Sequence, residues 1–291
     1  MAPSTRSSYA HHQLLFQKFL YKAGLKTVYP ASQLMIMSFL LHLLDSGKSS
    51  ATITTYSSAI AFAHKVRGFP DPTSSFLFKK FMLGLKKSSQ GSRKLDPISE
   101  IMLLELMSLV SSLKTSRYIR LLLRATMAAL YYGCLRISEV ALSGAQDHAV
   151  QEDQVNFKIK APRTTPTAVR LTLLSFKHSR APQTIEIRRT DHKTFCPVKL
   201  LWEYYQTKPP GKHFFCVDSG TAITRSFVMK WLSKLVARSS FAGRKINTHS
   251  FRIGRTTDLV LKGGVSDAYI RHVGRWSSDA YRQYIRSIVV L

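Results

Sequence analysis

Thr248-His249-Ser250-Phe251-Arg252-Ile253-Gly254-Arg255-Thr256-Thr257 is the stretch on which the reading of this chain turns. His249 and Arg252 stand three apart, so on a helix both project from one face. Such a pair gives one phosphate a fixed positive charge and an imidazole together, the equipment for work on a phosphodiester. Downstream comes Gly274-Arg275-Trp276-Ser277-Ser278-Asp279-Ala280-Tyr281-Arg282-Gln283-Tyr284-Ile285-Arg286, which reads as a further helix and sets a candidate nucleophile after a candidate phosphate clamp.

The composition says what such a site would act on. Lys and Arg number 43 against 16 acids, a formal charge of +27. That excess is well beyond what solubility asks, and a polyanion is the expected partner. A membrane surface is the other use for so much charge. However, no apolar run approaches the roughly 18 residues of a spanning helix, and the N-terminus lacks the apolar core of a secretory signal. The chain therefore reads as soluble and intracellular, with no membrane partner. Its three cysteines, Cys134, Cys196 and Cys216, are odd in number and too scattered for a disulfide framework. No CxxC, HExxH, Walker-type or GxGxxG pattern occurs, so the sequence implies neither a metal nor a cofactor.

With 291 residues, 45% of them hydrophobic, the chain can bury two modest cores, and its pattern divides accordingly. Residues 5 to 87 read as four helices. Ser7 or Ser8 caps the first, Pro30 and Ser32 open the second, Ser49 or Ser50 opens the third, and Pro70-Asp71-Pro72-Thr73 turns into the fourth. Through residue 95 there are 13 Lys and Arg against two Asp, and beyond it 30 basic residues against 14 acidic, so both halves are cationic. Residues 88–96 are polar and aperiodic and read as a linker. This predicts a helical domain over 1–87 and a second domain over 97–291, together suited to clamp a duplex. Lys48, Lys86, Lys87, Arg93, Lys94 and Arg255 are the candidate DNA contacts, each weighed against the ordinary role of a solvated cation.

In the second domain a helix from about Thr115 to Tyr132 stops at Gly133, a C-terminal signal. Arg136 follows at what reads as the start of a short helix, whose amides favour anions. Taken alone, Arg136 is more often a surface ion-pair partner, here of Glu139. From Val155 to Arg188 the period changes to two, with Val155, Phe157 and Ile159, then Val169 to Leu173, then Ile185 and Ile187, predicting a small antiparallel sheet. Lys177 falls at its second hairpin tip. Pro197 opens the next helix, and another runs from about Arg225 to Arg238 with Phe227, Trp231, Leu232 and Leu235 inward. The fold class is mainly α with one small antiparallel sheet.

The ordered series Arg136, Lys177, His249, Arg252, Trp276, Tyr284 resembles the catalytic series of the tyrosine recombinase, or phage-integrase-like, family. The segments Gly133–Glu139, His249–Arg252 and Gly274–Arg286 look like its motifs. The wording of the last two is most similar to recombinases of eukaryotic mobile elements, the crypton type and retroelements that carry such an enzyme. The resemblance covers essentially the whole chain. It implies a four-helix core-binding domain followed by an α+β catalytic domain, and a site-specific recombinase that cuts and rejoins double-stranded DNA through a 3′-phosphotyrosine. In that scheme Arg136 and Arg252 hold the non-bridging oxygens and Tyr284 attacks phosphorus. Lys177 protonates the leaving oxygen, while His249 assists proton movement, Trp276 packs under the site and Glu139 orients Arg136 or His249. Tyr281, three residues before Tyr284, is the alternative nucleophile. The resemblance further implies no cofactor, a homotetramer on DNA, and a nuclear location if the host is eukaryotic, otherwise cytoplasmic. Two alternatives stay open: a recombinase-derived DNA-binding protein that no longer cuts, and a type IB topoisomerase. Arg286–Leu291 is shorter than the C-terminal helix that many relatives dock into a neighbouring subunit.

Overall fold

A computed structural model describes residues 1, 3–25, 28–88, 94–144, 147–162, 164–174 and 181–285. The chain forms two compact units, Met1–Arg93 and Lys94–Leu291.

The first unit consists of α1 (Pro3–Lys22), α2 (Gln33–Asp45), α3 (Ser50–Val66) and α4 (Phe76–Ser88). Helix α1 starts at Pro3, so Ser7 and Ser8 lie inside it and do not cap it. Proline needs no N–H partner in a first turn, which is why the helix can begin there. Ser32 and Ser49 do cap α2 and α3, each accepting the backbone N–H three residues on. Phe16, Ile36, Phe39, Leu40, Ile53, Ile60 and Phe78 close the core. His64 is built into it as a fixed link. Its Nε2 accepts the Ala31 N–H at 3.0 Å and its Nδ1 lies 2.8 Å from the Ile60 carbonyl, an arrangement that fits the Nδ1–H tautomer and ties the loop before α2 to α3.

The second unit is built on α6 (Arg117–Tyr132), buried almost without interruption from Leu122 to Tyr132. It packs between α7 (Pro197–Thr207) and α9 (His249–Leu261), with α5 (Glu100–Leu109) and α8 (Arg225–Val236) completing the helical layer. In α8 the inward residues are Val228, Leu232 and Leu235, while Phe227 and Trp231 are only half-buried. Strands β1 (Val155–Lys158), β2 (Ala168–Leu173) and β3 (Gln183–Arg188) form an antiparallel sheet in the order β1-β2-β3. Its apolar face, Val169, Leu171, Ile185 and Ile187, closes the same core. The period-two reading and the mainly α fold class are as the sequence predicts.

On the outer face Glu186 lies opposite Arg170 and bonds Lys158 at 2.7 Å, Arg170 at 2.9 Å and Arg188 at 2.9 Å. These cations, Lys158 foremost, hold its carboxyl down at about 2 from an ordinary 4.5. A carboxylate depressed in the fold stabilises above its unfolded range and loses that contribution as pH falls through the folded value. The parent chain should therefore lose urea resistance between about pH 4.5 and 2 more steeply than Glu186→Gln. Parallel acid-denaturation curves by circular dichroism would reject this contribution.

Helix α9 is held from two sides. The backbone N–H of Ile98 donates to the Ser250 carbonyl at 3.0 Å, and the N–H of Glu100 donates to Asp258 Oδ2 at 2.8 Å. From α6, the Tyr131 hydroxyl donates to the same Asp258 oxygen. These contacts set the height and rotation of the helix that carries His249 and Arg252.

Candidate active site

Helix α9 opens with no hydroxyl cap. Asn247 Oδ1 instead accepts the His249 N–H at 2.7 Å, and Ser250 Oγ accepts the Asn247 N–H at 3.2 Å, which places His249 at the first helical position. Arg252 follows one turn on and is fully buried. One terminal nitrogen donates to the Cys134 carbonyl at 2.6 Å, and the other to the Gly274 carbonyl. The guanidinium plane lies 4.3 Å from the centre of the Trp276 ring and 5.6 Å from that of Tyr284. Among the described residues its Nε has no partner. Arg252 thus spends two of its five N–H groups holding two loops together and keeps three for another acceptor.

The Arg136 loop departs from the sequence reading in two ways. Gly133 caps α6 with right-handed backbone, and the left-handed residue is Cys134, at φ 47°. Glycine is required at 133 for space, because a Cβ there meets the Ala129 carbonyl oxygen at 2.7 Å. Secondly, Arg136 precedes only a single 3-10 turn, Ile137–Glu139, too short to offer a helix N-terminus to an anion. Positive charge comes instead from side chains. Buried Glu139 accepts the Arg136 backbone N–H on Oε2 at 2.8 Å and the Arg136 side chain on Oε1 at 3.1 Å, leaving Arg136 partly exposed. Glu139 therefore orients Arg136, one of its two predicted partners.

The terminal segment is not the α-helix expected. Helix α10 (Asp267–Gly274) ends at Arg275, a left-handed residue at φ 57°, and a 3-10 helix occupies Asp279–Tyr284. Between them Trp276 folds back over α10, so closely that a Cβ on Gly274 would lie 1.5 Å from its ring. Gly274→Ala should displace that ring, read as a changed near-UV dichroism of the same sign as that of Trp276→Phe. An unaltered aromatic spectrum would contradict the packing. Tyr284 brings its ring to 5.3 Å from that of His249 and 5.0 Å from that of Trp276. Tyr281 is only 3% exposed and packs with Leu259 and Ile270. Its phenol is raised in pKa by a hydrogen bond with the Asp267 carboxylate and by burial, both adverse to a nucleophile.

His249, Arg252, Trp276 and Tyr284 therefore share one site, and Arg136 follows two residues after Cys134, whose carbonyl Arg252 holds. Lys177 and Arg93 lie outside the described residues, as do Arg286–Leu291. Lys48, Lys86, Lys87 and Lys94 are exposed. Arg255 sits 5.6 and 5.5 Å from the rings of Tyr131 and Tyr132 and lines a cavity of about 450 Å³ with Glu100, Lys262 and β3. Among the described residues no three His, Cys, Asp or Glu cluster as metal ligands, and no helix is long and apolar enough to cross a membrane.

One member of the cluster escaped the sequence reading. Arg275 is as buried as Glu139 and donates to Glu139 Oε2 at 2.5 Å and to the Cys134 carbonyl at 3.2 Å. Burial pulls its pKa down to about 10, which still leaves it charged at neutral pH. An arginine next to a tryptophan carries no sign of burial in sequence; its place beside Gly274, in the quoted motif, was the available signal.

The architecture matches solved structures across both units. The XerH site-specific recombinase, bound to a palindromic difH substrate in a post-cleavage complex, superposes with a TM-score of 0.69 at 16% identity, covering 96% of this chain and 75% of that one. The fold is that of the tyrosine recombinases. The Tn1549 transposon integrase in complex with transposon right end DNA shares the recombinase fold at a TM-score of 0.68 and 11% identity, over 99% of this chain and 90% of that one. A lambda integrase dimer bound to a COC′ core site does so at 0.61 and 14%, over 98% and 72%. No family model matches the sequence, and a search of curated proteins finds no relative.

Proposed function

We propose that this chain is a site-specific recombinase that cuts and rejoins double-stranded DNA through a 3′-phosphotyrosine. The observation that carries the reading is the meeting of Tyr284, His249, Trp276 and Arg252 in one site, beside the loop of Glu139-bound Arg136, on a fold shared with solved DNA recombinases and integrases. Tyr284 Oη attacks phosphorus as His249 relieves it of its proton. The P–O5′ bond breaks, and the 5′ oxygen leaves as a hydroxyl with a proton from Lys177. The reverse attack by another 5′ hydroxyl restores the diester, so the number of phosphate ester bonds is conserved and no nucleotide is consumed. Arg136 binds the non-bridging oxygens directly. Arg252 stabilises the added charge from behind Trp276 with its remaining N–H groups, where low dielectric strengthens the effect.

The motif wording supports an origin in a eukaryotic mobile element, and hence a nuclear location. Lys48, Lys86, Lys87, Arg93, Lys94 and Arg255 are the proposed DNA contacts, the first unit serving as the core-binding domain, with a homotetramer as the active assembly. A DNA-binding descendant that no longer cuts is the second reading, favoured by one observation: both terminal nitrogens of Arg252 already hold backbone carbonyls. The deciding experiment selects the bound site from a random-sequence duplex pool and rebuilds it with a nick beside each candidate cleavage position. The expected product is a protein–DNA adduct that survives denaturation and maps to the Tyr284 peptide. DNA binding with no adduct on any nicked duplex establishes the second reading.

A further inference from the structure

Glu139 offers two carboxylate oxygens, and two arginines, Arg136 and Arg275, bond to it. Oε2 is taken by the Arg275 side chain at 2.5 Å and by the Arg136 backbone N–H at 2.8 Å. Only Oε1 remains for the Arg136 side chain, which reaches it through a single terminal nitrogen at 3.1 Å. Left alone with a carboxylate, an arginine closes on it with two parallel N–H bonds, the preferred fork-to-fork geometry. Arg275 occupies the oxygen that such a pair needs.

Arg275 also reaches the loop behind Arg136. It shares the Cys134 carbonyl with Arg252, at 3.2 Å against 2.6 Å, and lies 3.5 Å from the Gly133 carbonyl. Its own backbone is left-handed, which puts Trp276 immediately after the turn and over Arg252. Three buried or half-buried cations against one carboxylate is an unfavourable grouping unless an anion joins them.

We propose that Arg275 is a positioning residue: by occupying Glu139 Oε2 it keeps Arg136 in one-point contact, so that the remaining N–H groups of Arg136 are held for a phosphate. This deepens the recombinase reading and rests on it for the identity of that phosphate, but the geometry can be tested without cleavage.

Crystal structures of the parent and of Arg275→Met without DNA give the first arm. In the variant Arg136 should close on Glu139 through two nitrogens, one on each oxygen. Arg136 still in one-point contact overturns the inference. Should Arg275→Met fail to fold, Arg275→Lys is used, which keeps the charge and cannot fork; there Arg136 should hold its parental one-point contact, and a two-point pair overturns the inference.

The second arm uses the selected nicked duplex at saturating concentration. Arg275→Met should cut at least thirtyfold more slowly with DNA affinity within twofold of the parent. Adding Glu139→Gln should recover part of the rate, because a neutral amide no longer captures Arg136. A merely structural role predicts falling affinity and thermal midpoint together and no recovery; that result, or a rate within threefold of the parent, overturns the inference. A parent chain that binds DNA and forms no adduct sinks the cutting reading, and the crystallographic arm then decides the role of Arg275.

Discussion

Tyr284→Phe will bind the selected duplex as tightly as the parent chain and form no covalent adduct with it, a fall of at least about 10⁴-fold in cleavage. The phenyl ring preserves the contacts with His249 and Trp276, whose ring centres lie 5.3 and 5.0 Å away, and lacks only the attacking oxygen. Binding is read by mobility shift and cleavage by denaturing electrophoresis, on the same samples. A free phenol has a pKa near 10 and is a poor nucleophile at neutral pH. Tyr284, and not its neighbour, is the proposed nucleophile because the Arg252 guanidinium lies 5.6 Å from the Tyr284 ring.

Tyr281→Phe is the matched control. That residue packs against Leu259 and Ile270 with Asp267 as its hydrogen-bond partner, so loss of the hydroxyl should lower stability slightly and leave adduct formation within a few fold of the parent. If the adduct survives the change at 284 and disappears with the change at 281, the nucleophile has been misassigned and the geometry of the 3-10 segment with it.

The two tyrosines show why part of the site was legible from sequence and part was not. Their separation of three fits an α-helix and a 3-10 helix alike, since both bring such residues to one side. What separates them is tertiary: Asp267 and Ile270 of α10 claim Tyr281, and spacing alone cannot report that. Helix limits read well where an explicit chemical signal exists, as with Ser32 and Ser49, whose hydroxyls accept the N–H three residues on. The first helix was misread because Ser7 and Ser8 give the same signal inside it. The sheet was legible because burial alternates along β2 and β3 with the predicted period. The pairing of Arg275 with Glu139 was opaque for the opposite reason. Charged residues are almost never fully buried unless paired, and their pairing spans 136 positions.

Gly254→Ala will destabilise the second unit by about 3 kcal/mol or more, although propensity alone argues the other way. Replacing glycine by alanine inside a helix ordinarily gains about 1 kcal/mol, and Gly254 is mid-helix in α9 with right-handed backbone. The added Cβ, however, would lie 1.7 Å from the Ile98 carbonyl oxygen and 2.4 Å from its carbon. Backbone cannot rotate out of the way as a side chain can, so α9 must retreat by more than an ångström. That motion breaks the Ile98 to Ser250 bond at 3.0 Å and the Glu100 to Asp258 bond at 2.8 Å, each worth about 1 kcal/mol and more where a charged group is involved. Overpacking adds roughly 1–3 kcal/mol, so the sum exceeds the propensity gain severalfold. The same retreat carries Arg252 away from the Cys134 and Gly274 carbonyls that it joins, and cleavage should fall with stability. Urea denaturation of the parent and variant measures the first effect. A variant stabilised by about 1 kcal/mol, the propensity result, would mean that the Ile98 backbone does not pass over α9, and the placement of His249 and Arg252 derived from that contact would fall too.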